Sequence, residues 1–226
     1  MKKIKKKLIV FMPSMEGGGV EKNIIIITNY LSKFIDNIEL ITFDNKFNRF
    51  FNNKIKIINS RNYSKTKISK YYKYFFCLIL LIKRMVVNKN IYIFAFQANI
   101  YCILLAFLFN KRIITRSNSS PSGWSNNFFK NLIFKVFFRY PDRIIVNSKN
   151  FQKEFLNRFN INTKMIYNPL NKLEILKKAK KKLNDNFFSK KNYLKIINVS
   201  RFTEQKDQLT LLKAFKIVNE LTPSKL

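Results

Sequence analysis

The chain has 226 residues, with 44 Lys and Arg against 12 Asp and Glu (formal charge +32) and 47% apolar residues, enough for one full domain with its own core and part of another. It has no histidine, and its two cysteines, Cys77 and Cys102, sit far apart inside apolar runs, which excludes His-based triads, His-ligated zinc and a disulfide framework. No apolar run reaches the roughly 18 residues that a membrane-spanning helix needs.

The opening MKKIKKKLIVFMPS is basic and then briefly apolar, like a signal peptide, but the apolar part is short and runs into glycines. It reads as a first strand, Leu8–Met12, of a cytoplasmic protein. After the turn Pro13–Glu16 come Gly17, Gly18 and Gly19, then Val20, Ile24, Ile27 and Leu31 on one face of a helix reaching about Lys33. A glycine loop lets backbone approach a ligand closely, and a helix N-terminus favours a phosphate. The spacing is not that of the dinucleotide fingerprint.

Strands follow at Glu39–Phe43 and Lys54–Ile58, then a polar, basic loop at 59–70. A helix at Tyr71–Val87 has an apolar face with Lys73, Lys83 and Arg84 at its edges. Next come a strand at Ile91–Phe96, a buried helix at Asn99–Phe109 and a strand at Arg112–Thr115. The alternation predicts a Rossmann-like α/β fold, a parallel sheet with helices on both faces. Arg116–Trp124, RSNSSPSGW, leaves the end of a strand, where open α/β sheets bind ligands; Arg116 and Asn118 are its candidate contacts. Phe128–Arg139 is apolar with interspersed cations, either a core helix with a basic edge or a segment resting on anionic lipid. Asp142–Ser148 reads as a strand, Asn150–Phe159 as a helix and Lys164–Tyr167 as a strand; Asn168-Pro169 closes a domain over residues 1–168.

Residues 169–191 form a basic linker, and 192–226 start a second domain. In KIINVSRFTEQK, Ile196–Val199 looks like a buried strand and a turn carries Arg201 and Lys206. Asp207 opens a helix with Leu211, Ala214, Phe215, Val218 and Leu221 on one face. A strand, a basic loop and a helix start make a phosphate-binding arrangement.

GGGVEK, TRSNSSP, DRIIVNS, YNP and VSRFTEQK resemble, in order, elements of the retaining GT-B glycosyltransferases of family 4, over about residues 8–219. Ser200 stands where that family usually has Gly, and many relatives carry a His near TRSNSSP that this chain lacks. The resemblance implies a metal-independent transfer of a hexosyl group from a nucleotide diphosphate sugar, without a cofactor or bound metal. Arg201 and Lys206, with Gly18 and Gly19, would hold the donor diphosphate; in a complete GT-B protein they would face each other across the cleft. Arg116, Asn118 and Asn168 would contact the acceptor or sugar. The family's paired glutamates, which touch the donor, have no counterpart, so no catalytic residue is assigned, and the chain looks like an acceptor half with the first piece of a donor half, weakly active or inactive alone.

Expected partners are a nucleotide sugar, a lipid-linked or envelope glycan acceptor, and a separate chain if one supplies the donor half. Peripheral attachment to the inner face of the membrane is a further expectation, since +32 charges attract anionic surfaces. Lys, Asn, Ile and Phe are abundant together, as A- and T-rich codons produce, and no RNA-binding signature occurs, so nucleic acid is not an expected partner. The alternative is a non-catalytic basic Rossmann-like module that binds membrane or another anionic partner.

Overall fold

Seven parallel strands form one sheet in the order β3-β2-β1-β4-β5-β6-β7. The computed structural model describes residues 6–60, 68–124, 127–181, 194–222 and 224–225. The strands are β1 (Lys7–Phe11), β2 (Ile38–Ile41), β3 (Ile55–Ile58), β4 (Ile91–Ala95), β5 (Arg112–Ser117), β6 (Arg143–Val146) and β7 (Lys164–Met165). The helices between them are α1 (Gly19–Leu31), α2 (Lys70–Val87), α3 (Asn99–Leu108), α4 (Phe128–Phe137) and α5 (Lys149–Phe159). This is the α/β fold class that the alternation predicts.

The central strands are buried on both faces, so they read as unbroken apolar runs. Alternate residues of β1 serve different cores. Leu8 and Val10 pack with Ile24 of α1, whereas Ile9 and Phe11 pack with Cys77, Cys102 and Phe155 of α2, α3 and α5. The one buried carboxylate of β2, Glu39, is matched by Lys7 Nζ at 3.0 Å and Arg84 Nε at 3.2 Å. Side-chain caps set several helix starts: Ser69, Asn127 and Ser148 accept from the backbone N–H of Tyr72, Lys130 and Phe151.

Chain order reverses between β1 and β4, a switch point whose carboxyl end is the usual ligand crevice. Strand β5 runs two residues further than its apolar run. Arg116 and Ser117, expected in the loop, are strand residues paired with Ile145 and Val146; β7 is correspondingly shorter than expected.

The chain divides into two compact units, Met1–Leu170 and Asn171–Leu226. The second holds α6 (Lys172–Ala179), a two-stranded parallel sheet of β8 (Leu194–Lys195) and β9 (Ser224–Lys225), and α7 (Gln208–Leu221). The buried strand expected at Ile196–Val199 is not formed: Ile197 is 59% and Val199 93% exposed. Among the described residues no strand runs alongside that segment to complete its hydrogen bonds and cover its side chains. Part of the predicted linker, 182–191, lies outside the described residues, as do 1–5, most of the polar loop at 59–70, and 192–193.

Candidate functional site

The carboxyl ends of β4 and β5 open into a pocket of about 650 Å³. Gln97, Ala98 and Asn99 of the β4–α3 turn, Arg116 to Ser119 at the end of β5, and Trp124 line it, with Lys130, Ile133 and Phe134 of α4 and Val20 of α1. Trp124 is anchored by ring contacts to Phe134, Phe138, Phe155 and Phe159, and its Nε1 donates to Ser119 Oγ at 2.8 Å. The loop beyond β5 is fixed from α5: Ser120 Oγ and Ser122 N–H donate to the Glu154 carboxylate. These bonds, the Ser120 hydroxyl first, hold the Glu154 carboxyl below its ordinary value. A second depression of about 480 Å³, near Asp142 and Lys164, lies at the amino ends of β6 and β7, the wrong end of the sheet for a ligand crevice.

Two amides shape the polar wall. Asn118 Nδ2 donates to Phe96 O at 3.1 Å, and Asn99 Nδ2 to Arg116 O at 3.1 Å. Each side chain is thereby oriented by a backbone carbonyl at a strand end. Their Oδ1 atoms, and Arg116 Nε, are buried and meet no partner among the described residues. An unmet buried polar group costs about 1–3 kcal/mol. Ala98, which precedes Asn99, holds φ 53° and ψ 34°, a left-handed conformation disfavoured for a residue with a Cβ.

Arg116 and Asn168, expected as separate contacts, are joined. The Arg116 guanidinium is 1% exposed; its Nη2 donates to Asn168 Oδ1 at 2.9 Å and Ile166 O at 3.1 Å. It ties β5 to the segment after β7, and burial pulls its pKa below the ordinary arginine value. No carboxylate pairs with it among the described residues.

The glycine loop lies next to the switch point. Met15 N–H donates to Asp44 Oδ2 at 2.8 Å and Ser14 N–H to Gln97 Oε1 at 3.0 Å, so residues after β2 and β4 hold its approach. Gly17 has φ 95°, and a Cβ there would also stand 3.4 Å from Phe47 Cζ. The N-terminus of α1 is not bare, because the Glu21 carboxylate takes Gly18 N–H at 2.8 Å and Glu16 N–H at 3.0 Å. A Cβ on Gly19 would meet nothing within 4 Å.

In the second unit Arg201 and Lys206 are exposed on the turn before α7. Gln208 Nε2 braces that turn by donating to Arg201 O at 2.6 Å and Ser200 Oγ at 2.8 Å. Asp207, with φ 44°, caps α7 by accepting from Thr210 N–H. Both helix N-termini expected to receive a phosphate therefore carry a carboxylate of the chain itself. Asn99 and Gln97 were missed by the sequence reading; a Gln-Ala-Asn turn closing an apolar strand is the signal that would have found them.

No family model matches the chain, and no curated protein matches it. Solved structures do. Anabaena HepE in complex with UDP and glucose superposes with a TM-score of 0.60 at 16% identity, covering 93% of this chain and 57% of HepE. The HepE complex with UDP-glucose gives 0.59 at 16% identity, over 93% of this chain and 57% of HepE. A putative UDP-N-acetylglucosamine 2-epimerase from Listeria monocytogenes gives 0.53 at 10% identity, over 96% of this chain and 60% of the epimerase. The chain shares their fold. It is a Rossmann-like α/β fold, and the chain spans 57% of HepE's length.

Proposed function

We propose that the chain belongs to a GT-B glycosyltransferase of the family 4 type, which moves a hexosyl group from a nucleotide diphosphate sugar to a lipid-linked or envelope glycan. Met1–Leu170 is then the acceptor-side unit, and the transfer is a property of the protein together with whatever completes the donor site, in this polypeptide or another. One observation carries the reading: a pocket at the carboxyl ends of β4 and β5, the ligand end of the sheet, lined by Asn99, Arg116 and Asn118 beside Trp124. A glycan brings hydroxyl groups that pair with polar side chains of this kind. That a protein of the same fold was crystallised with UDP-glucose supports the donor class. Arg201 and Lys206 would steady the leaving diphosphate, and catalysis would rest on positioning and charge stabilisation without a metal.

Trp124 is the one tryptophan and lines the pocket, so its emission reports occupancy. Alkyl glycosides and isoprenyl phosphates should shift it saturably, and Asn118→Ala should weaken the binding about fivefold, the loss of one hydrogen bond. Transfer from labelled UDP-glucose to whichever compound saturates the signal is the second readout. If no glycoside or isoprenyl phosphate changes the emission at millimolar concentration, the pocket is not an acceptor site.

The carboxylates at the starts of α1 and α7 favour the second reading, a non-catalytic basic module. UDP-glucose binding by calorimetry separates the two: a module of that kind would take UDP-glucose no better than any other anion of equal charge.

A further inference from the structure

Between Asp44 and Asp142 the sequence has no Asp or Glu, although Lys and Arg recur throughout. That stretch supplies α2, α3 and α4, neighbours on the face of the sheet opposite α1. The outer surface of α3 and α4 is apolar. On α3, Leu104, Phe107 and Leu108 are 37%, 58% and 65% exposed; on α4, Leu132, Ile133 and Val136 are 49%, 47% and 59% exposed. Each set falls at the three-and-four spacing of a single helix stripe, and the two helices touch. Exposed Lys130 stands in the first turn of α4, and exposed Arg139 two residues beyond its last. The first carboxylates to follow are engaged elsewhere: Asp142 with Arg112 at 3.0 Å, Glu154 with Ser120 and Ser122.

A contiguous apolar face on an otherwise strongly charged protein marks an interaction surface. Here it is edged by cations and free of acidic side chains, the composition of helices that lie in a membrane interface. No helix among the described residues is long and apolar enough to cross a membrane, so contact would be along the surface. We infer that the α3–α4 face docks on an anionic lipid bilayer, with the apolar stripes in the headgroup boundary and Lys130 and Arg139 on lipid phosphates. Lys130 and Ile133 also line the pocket, so docking sets its mouth against the headgroups. The inference rests on the exposed face and its charge, and it stands or falls independently of glycosyl transfer.

Vesicle flotation of the full chain tests it without nucleotide sugar or acceptor. Vesicles of equal parts phosphatidylcholine and phosphatidylglycerol should carry the protein, and phosphatidylcholine alone should not; added salt should weaken the binding. Arg139→Gln should reduce partitioning about fivefold. Leu132→Ser with Val136→Ser should reduce it about tenfold with an unchanged melting temperature, because both side chains are exposed; if the melt shifts, Arg139→Gln carries the test. Tyr30→Ser, on α1 across the sheet and 58% exposed, should change nothing. Equal binding to neutral vesicles, no flotation with either, or a loss with Tyr30→Ser matching that of the serine pair would overturn the assignment.

Discussion

Replacing Arg116 by lysine should damage the first unit more than replacing it by methionine. The guanidinium is 1% exposed, without a carboxylate partner among the described residues, and spends one nitrogen on Asn168 Oδ1 and Ile166 O. Methionine removes both the hydrogen bonds and the burial of a charge. What remains is two less-satisfied acceptors, and Asn168 is exposed enough for water to replace its bond; a cost of about 1–3 kcal/mol follows. Lysine keeps the burial cost but cannot reproduce the planar fork, leaving a poorly compensated buried charge that costs about 3–5 kcal/mol. Urea unfolding followed by Trp124 emission reads this unit directly. A further signature fixes the cause. A lysine buried here would have its folded pKa depressed, so the unfolded state would bind more protons and stability would rise with pH above neutrality. If the lysine variant unfolds at the wild-type midpoint, positive charge alone suffices at this position and the bridging role is wrong.

Ala98→Gly should stabilise the first unit by about 1 kcal/mol by relieving the left-handed backbone, seen as a higher urea midpoint; a lower midpoint would mean that the alanine methyl packs favourably enough to outweigh the strain. Glu154 is held below the ordinary carboxyl value by Ser120 and Ser122, so its contribution is present above the unfolded pKa and lost as pH falls through the folded one. Glu154→Gln should therefore flatten the acid limb of the stability profile and leave its neutral region parallel to wild type. With the donor site completed, Arg201→Ala and Lys206→Ala should each weaken nucleotide-sugar binding about 10- to 150-fold, the value of a charge-assisted hydrogen bond. Exposed Lys181 is the control; equal effects of Lys181→Ala and Arg201→Ala in calorimetry would reduce the pair to general positive surface.

The sequence alone determined the layered α/β architecture. Strands buried on both faces must be apolar throughout, as in Leu8–Phe11 and Ile91–Ala95, and helices must show one apolar stripe, so both patterns survive in one dimension. The glycine turn was legible for the same local reason, since Gly17 needs a backbone freedom that other residues lack. Tertiary structure decided what depends on contacts between distant residues. That Arg116 reaches Asn168 across the end of the sheet follows from β6 and β7 pairing beside β5, which no local pattern encodes. That Glu21 accepts from Gly18 and Glu16 N–H, and Asp207 from Thr210 N–H, follows from side-chain direction, and a motif records only residue type. The strand expected at Ile196–Val199 failed because an apolar run is necessary for a buried strand but not sufficient: it also needs neighbours to complete its hydrogen bonds and cover its side chains, and those come from other parts of a fold.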